Sequence, residues 1–174
     1  MVEALRTPIG SFGGSLKEVS AVKLATAVVK EVWQRSGLAG GTEGMSNVPH
    51  LVLNARWGKK MGDLQTVDAL FHDGLHCVIE GYHMGITAEN LVERYRISRE
   101  DQDVFALESQ EKAFKAKEQG KFQNEIIPIP IKTKQGTTLF TEDEHIKNTS
   151  LEKLKNLKPA FKEKGTVTAG NALD

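Results

Sequence analysis

Apolar positions recur with helical spacing through the middle of this chain and with strand-like spacing only toward its ends. Between Ala21 and Gln34, the residues Val22, Leu24, Ala25, Val28, Val29, Val32 and Trp33 make a broad apolar face, and Gly37 suits its stop. From Leu51 to Gly62 the chain reads as irregular and basic. Asp63 to Phe71 predicts a helix with Leu64, Val67, Leu70 and Phe71 on one face. Thr87 to Tyr95 predicts a second, with Ala88, Leu91, Val92 and Tyr95 together. Ser98 followed by Asp101 resembles a capping box, and the helix it opens runs to about Gln119, where Gly120 ends it.

The flanks are thinner. Val2 to Leu5 reads as the end of a strand, and Arg6-Thr7-Pro8-Ile9-Gly10 with Gly13-Gly14 as loop. Ile126 to Ile131 is rich in β-branched residues, but Pro128 and Pro130 demote it to an edge strand. Lys134-Gln135-Gly136 turns into a short strand from Thr137 to Phe140. Ser150 can cap a short helix through Leu157, and Thr166-Val167-Thr168 reads as a final strand leading into Ala169-Gly170-Asn171. No repeat or low-complexity tract interrupts this order. A helical middle over about 63–120 between two thin αβ ends predicts an insertion in an α/β core and not a self-contained doubly wound sheet.

Composition changes this picture only a little. The chain has 174 residues, long enough to bury a real core. Its 23 Lys plus Arg balance 23 Asp plus Glu, which argues against nucleic acid as a partner, because phosphate binding needs a basic excess. No apolar run approaches a membrane span, and the N-terminus has no secretory pattern, so the default reading is a soluble cytoplasmic protein, with the mitochondrial matrix also open. The one cysteine, Cys77, allows no intrachain disulfide. It reads as a small buried thiol, because His76 beside it would point away on a helix. His72 and His76 have i, i+4 spacing that could clamp a metal, yet no Cys or Glu at suitable spacing supports them, and surface histidines are the simpler reading. Neither a P-loop, a dinucleotide-binding glycine pattern nor a serine nucleophile elbow occurs.

Five stretches, in this order, resemble the thiolases: Arg6-Thr-Pro-Ile-Gly-Ser-Phe12, Gly40-Gly-Thr-Glu-Gly-Met-Ser-Asn47, His83-Met-Gly-Ile-Thr-Ala-Glu-Asn90, Ser98-Arg-Glu-Asp-Gln-Asp103 and Gly165-Thr-Val-Thr-Ala-Gly-Asn171. The resemblance is closest to the biosynthetic, acetoacetyl-CoA-forming branch. It implies an α/β fold, an incomplete thiolase-like one made mainly of the α-rich loop domain with fragments of the N-terminal βαβ core. Residues 1–45 would be a truncated core fragment, 46–165 the loop domain and 166–174 the start of the return strand to the core.

The departures from the family bear on chemistry. Leu38-Ala39 runs directly into Gly40-Gly41, where the family has a long segment carrying the nucleophile cysteine in a Cys-x-Ser-Gly setting. The family's second half, with its Gly-Gly-His-Pro histidine and its proton-shuttling cysteine, has no match in these 174 residues. Asn171-Ala172-Leu173-Asp174 stands where the family has Asn-Ala-Ser-Gly. Thiolase chemistry uses one thiolate to accept an acyl group from coenzyme A and a second thiol to take a proton from the α-carbon of acetyl-CoA. The resemblance therefore implies no catalytic residue in this chain, no metal, and no cofactor beyond the coenzyme A thioester as substrate.

What the resemblance does carry over is part of a coenzyme A cradle. Leu75 would pack on the adenine end, and His83 and Met84 would border the pantetheine channel and acyl pocket. Lys147 stands where the family often has an arginine near the nucleotide end. Ala169 matches a small residue whose backbone meets pantetheine, while Leu173 replaces a serine that would touch the same arm. Core packing for Leu75 and Met84, and a solvated cation beside Glu142, Asp143 and Glu144 for Lys147, are the plainer readings. Three functions follow: a thiolase-family acyltransferase, of the acetyl-CoA C-acetyltransferase kind, that cannot turn over alone; a non-catalytic module that binds acyl-CoA or coenzyme A, or pairs with an intact thiolase subunit; or a remnant gene product. None of them involves nucleic acid or a membrane.

Overall fold

A computed structural model describes residues 4–36 and 44–172. The Gly37 stop, residues 40–43 of the glycine-rich motif, the first residues of the proposed opening strand and Leu173 lie outside that range. The chain divides into two compact units: residues up to Asn47 with Ser109–Asn148, and Val48–Glu108 with the residues from Thr149 onward.

In the first unit, helix α1 spans Ala21–Ser36. Ser20 opens it, its carbonyl accepting from Lys23 and Leu24 N–H. Of the apolar face expected here, Leu24 and Val32 are buried, whereas Val22 is 74% and Trp33 66% exposed. An open groove of about 660 Å³ runs along Val22, Ala25, Val29 and Trp33. Just past the expected strand of Val2 to Leu5, Arg6, read as loop, makes a parallel bridge with Ile126. The bridge is fixed by Arg6 N–H to the Glu125 carbonyl and by Ile127 N–H to the Arg6 carbonyl, both at 2.8 Å.

The second unit opens on a short antiparallel pair, β1 (His50–Val52) with β2 (Thr66–Asp68), in which Leu51 faces Val67. This corrects the helix expected over Asp63–Phe71. The spacing of Leu64, Val67, Leu70 and Phe71 fits a helix, but Thr66-Val67 is β-branched and finds a partner strand fifteen residues back. Helical backbone begins only at Leu70, as one wide turn over Leu70–Leu75 with i→i+5 character. A second antiparallel pair follows, β3 (His76–Cys77) with β4 (Tyr82–His83).

Helix α2 spans Met84–Tyr95, starting three residues earlier than its apolar spacing predicts, because His83 caps it. It ends on Arg96 in the left-handed region, φ 54°, whose N–H returns to the Val92 carbonyl. Helix α3 spans Arg99–Glu118. Its capping box forms as expected: Ser98 Oγ accepts from Asp101 N–H at 3.0 Å, and the Asp101 carboxylate accepts from Ser98 N–H at 3.2 Å. Gly120 at φ 66° ends it, in a conformation that costs other residues roughly 1 kcal/mol.

The residues of α3 from Ser109 onward belong to the first unit, as does the hairpin of β5 (Ile129–Thr133) and β6 (Gly136–Phe140). Ile129 is buried there and pairs with Phe140, so the proline-bearing run does form a strand, shifted by three residues. The second unit closes with α4 (Leu151–Lys155), capped by Ser150 Oγ accepting from Lys153 N–H. The expected strand over Thr166–Thr168 reduces to one antiparallel bridge between Pro159 and Thr168. Among the described residues, no helix is long and apolar enough to cross a membrane.

Candidate functional site

Four of the five residues expected to meet a ligand lie in the second unit, three of them, Leu75, His83 and Met84, in or beside the β3–β4 hairpin. His76 faces His83 across the β3–β4 ladder; Leu75 precedes that pair on one side and Met84 follows it on the other. Leu75 ends the wide turn and is half-buried; Met84 begins α2 and is 51% exposed. Between them the His83 ring is flanked by two aromatic rings, Phe71 at 5.3 Å and Phe161 at 4.8 Å between centroids. Its Nδ1 accepts the Gly85 N–H at 2.9 Å. An amide N–H can only donate, so a neutral His83 carries its proton on Nε2 and can donate from there. The end of the hairpin thus presents one directed donor, His83 Nε2–H, next in the chain to the half-exposed Met84.

Gly85 makes this corner possible. A Cβ there would stand 2.4 Å from Phe161 Cγ and Cδ1, closer than any van der Waals contact allows, so only glycine lets Phe161 lie against both α2 and His83.

Ala169 sits in the same unit, exposed, on a turn held from below by two buried carboxylates. Glu89, on α2, is 2% exposed and accepts from Thr166 N–H at 3.0 Å and Val167 N–H at 2.9 Å. Asp103, on α3, is fully buried; it accepts from Arg99 Nε at 2.8 Å and from Asn171 Nδ2 at 2.8 Å. Asn171 Oδ1 in turn accepts from Thr168 N–H at 2.7 Å. Gln102 Nε2 donates to Thr166 Oγ1 at 2.9 Å. The motifs His83–Asn90, Ser98–Asp103 and Gly165–Asn171 therefore meet in one hydrogen-bonded knot. Sequence reasoning missed this role of Glu89, Asp103 and Asn171. The signal was there for Glu89: it follows Gly85 and precedes Val92 on the inward face of α2, where a charged residue calls for buried donors.

Lys147 belongs to the first unit and is exposed; its backbone N–H donates to Gln110 Oε1 at 2.8 Å. Of the acidic run before it, Asp143 and Glu144 are bound to other parts of the unit, while Glu142 is exposed. Asp143 holds Arg6 by two hydrogen bonds, 2.7 and 2.9 Å, and accepts the Ile9 N–H at 2.7 Å. Glu144 accepts from Ser11 N–H at 2.8 Å and from the Ser15 hydroxyl. His145 Nε2 donates to the Gly10 carbonyl at 3.1 Å, and Ser46 Oγ accepts from Gly13 N–H. The motif Arg6–Phe12 is thus tied to the end of Gly40–Asn47 and to residues 143–145. The Asp143 hydrogen bonds raise the Arg6 guanidinium above its ordinary value against the opposing effect of burial. Burial pushes Asp143 up, but its bonds from Arg6 and Ile9 and the charges of Arg6 and Lys117 outweigh that and hold it below the usual carboxylate range. The Ser15 hydroxyl, opposed by burial and helped by the Ser11 and Ser15 amides, holds Glu144 low as well.

Cys77 lies in β3 opposite Tyr82. It is in a strand and not a helix, but neighbouring strand residues also point to opposite faces, so His76 still does not pair with it. The two histidines of i, i+4 spacing do not share a helix: His72 sits on the wide turn against Asp73 at 2.6 Å, while His76 is in the strand. Among the described residues, no group of three or more His, Cys, Asp and Glu is placed to hold a metal ion.

Comparison with known proteins gives this arrangement its context. Residues 34–174 match the thiolase N-terminal domain. A probable acetyl-CoA acyltransferase of Staphylococcus aureus is 56% identical over 137 residues, which is 78% of this chain and 35% of that protein's length. The Bacillus anthracis acetyl-CoA acetyltransferase superposes with a TM-score of 0.91 at 33% identity, covering 99% of this chain and 61% of that one. Human mitochondrial 3-ketoacyl-CoA thiolase gives 0.84 at 30% identity, covering 98% and 61%. The chain thus spans about a third of the length of its S. aureus relative, and the fold it carries is the thiolase-like one expected from its motifs. With a family domain matched over most of its residues and a solved relative superposing over nearly all of them, this chain belongs to the thiolase family.

Proposed function

We propose that this chain supplies the coenzyme A-holding side of a thiolase-type acyltransferase, of the acetyl-CoA C-acetyltransferase kind, and has no nucleophile of its own. The whole reaction would condense two acetyl-CoA molecules or cleave acetoacetyl-CoA. The single observation that supports the proposal is the His83 ring, packed between Phe71 and Phe161 with its Nδ1 bound to the Gly85 N–H, which leaves Nε2–H as a donor next to Met84, the first residue of α2. Leu75 and Met84 offer apolar surface to the adenine and pantetheine portions, and the His83 Nε2–H can donate to an amide or thioester oxygen. Ala169 offers a turn small enough for close approach; Lys147, in the other unit, is a cation for the nucleotide end by resemblance alone. On this reading residues 46–165 act as the loop domain, 1–45 as a core fragment and 166–174 as the return to it. The S. aureus relative supports a bacterial, cytoplasmic setting.

Acyl transfer needs an activated thiolate beside its base and convergent donors for the developing oxyanion. The one thiol in these 174 residues, Cys77, stands in the β3–β4 hairpin opposite Tyr82 with His76 on the other face. Leu38-Ala39 joins Gly40-Gly41 directly, at the place where the family's nucleophile segment would lie. Titration calorimetry with coenzyme A tests the holding claim: the full chain should bind, and Leu75→Ala with Met84→Ala should weaken binding about tenfold, from two truncated apolar contacts. No heat, or unchanged affinity in the double variant, would remove it.

The exposed apolar face of α1, with Val22 and Trp33 in solvent, favours a second reading. In it the chain pairs with an intact thiolase subunit. Co-expression with such a subunit should then yield a stable complex that Trp33→Glu abolishes.

A further inference from the structure

We infer that Glu89 and Asp103 are positioning residues for ligand binding, acting through the turn from Thr166 to Ala172 and not by touching the ligand. The inference rests on the proposed pantetheine contact at Ala169. Among the described residues, the turn's ladder pairing is the single bridge of Thr168 to Pro159, with Ala160 N–H bonded to the Val167 carbonyl. In place of a strand partner, the two buried carboxylates reach it from different helices. Glu89 takes the Thr166 and Val167 amides, and Asp103 takes Asn171, whose other amide atom takes the Thr168 N–H.

The geometry makes the clamp exacting at both ends. Gly165 leaves room for Glu89: a Cβ there would lie 2.2 Å from Glu89 Oε1. Gly170 leaves room for α4 and the residues after it: a Cβ would lie 2.6 Å from Leu154 Cδ2 and 2.5 Å from Leu157 Cδ1. Asp103 is fixed by Arg99, whose Nη2 also donates to the Leu154 carbonyl at 2.5 Å. The height of Ala169 relative to α2 is therefore set by Glu89, on the same helix whose first turn carries Met84 and the His83 cap. A ligand that spans Met84 and Ala169 would sense their separation, which the Glu89 bonds to Thr166 and Val167 help to fix.

The test separates this claim from the coenzyme A reading on which it rests. In the full chain, Glu89→Gln preserves shape but replaces one acceptor oxygen with a donor facing Thr166. Two measurements are made on it and on wild type. Amide hydrogen exchange at Thr166 and Val167 should quicken about tenfold or more in the variant, with α3 amides unchanged, since a hydrogen bond to a charged group is lost locally. Calorimetry should show coenzyme A affinity falling about tenfold while affinity for adenosine 3′,5′-bisphosphate, which lacks the pantetheine arm, stays the same. Equal losses for both ligands, or losses matched by a lowered melting temperature and faster exchange throughout the chain, would make the role merely structural and overturn the inference. Unchanged exchange at Thr166 and Val167 would overturn it outright. If wild type binds no coenzyme A, that failure belongs to the proposed function, and the exchange result alone then decides whether Glu89 positions the turn.

Discussion

Gly85→Ala isolates the packing that shapes the candidate site. In an open helix alanine is the better residue, by roughly 1 kcal/mol. Here the added methyl would sit 2.4 Å from Phe161 Cγ and Cδ1 and 2.5 Å from Cδ2, against an optimal carbon separation of about 3.5–4.0 Å. The ring or the first turn of α2 must move by more than about 1 Å to relieve it. Overpacking of this kind costs about 1–3 kcal/mol. Moving the ring also loosens its contact with His83, centroids 4.8 Å apart, worth about 0.5–1.5 kcal/mol. The helical gain is small at the second residue of α2, so the net effect is a destabilisation of about 1–3 kcal/mol. Urea unfolding followed by far-ultraviolet circular dichroism should show the midpoint falling with the slope preserved. Phe161→Ala removes the obstacle, so Gly85→Ala made in that background should be neutral or mildly stabilising. A single variant as stable as wild type, or a penalty undiminished in the Phe161→Ala background, would refute the reasoning.

Other consequences follow from the buried polar anchors. Asp103→Ala leaves Arg99 and Asn171 facing an empty buried position and should cost about 3–5 kcal/mol, read from the same urea titration. Arg6→Lys keeps the charge but loses the two-pronged grip on Asp143, and should cost about 1–2 kcal/mol in the first unit, where Arg6→Met should cost more because Asp143 is then left unpaired. The Asp143 and Glu144 carboxyls are held below their unfolded values, so their stabilisation is present above about pH 4 and fades as pH falls through the folded values. Melting temperatures from pH 7 to 2.5 should show that acid loss, and the paired change Asp143→Asn with Glu144→Gln should flatten it while lowering stability at neutral pH.

The parts of this molecule that speak through local sequence were legible. Ser98 and Asp101 form the box their spacing announces, and Gly120 stops α3 in the left-handed region. The α2 start was hidden because histidine is an unusual cap, and it works here only because the Gly85 N–H meets Nδ1. Asp63–Phe71 misled because its apolar spacing fits a helix equally well, and pairing of Val67 with Leu51 is non-local information. The same holds for Asp143 and Glu144, whose partners at Arg6, Ile9, Ser11 and Ser15 are more than a hundred residues away. In the candidate site, Leu75, His83, Met84, Lys147 and Ala169 were all named by resemblance. That the turn carrying Ala169 is held by Glu89 depends on two helices and a turn meeting in space.

The central claim, a chain that holds a coenzyme A thioester without a sulfur able to attack it, is tested most directly by intact mass spectrometry after incubation with acetyl-CoA and acid quench. The account predicts unmodified protein in wild type and Cys77→Ser alike, under conditions in which an intact thiolase becomes acetylated. An acetyl group on wild type that disappears in Cys77→Ser, and whose transfer to free coenzyme A can be followed, would contradict it.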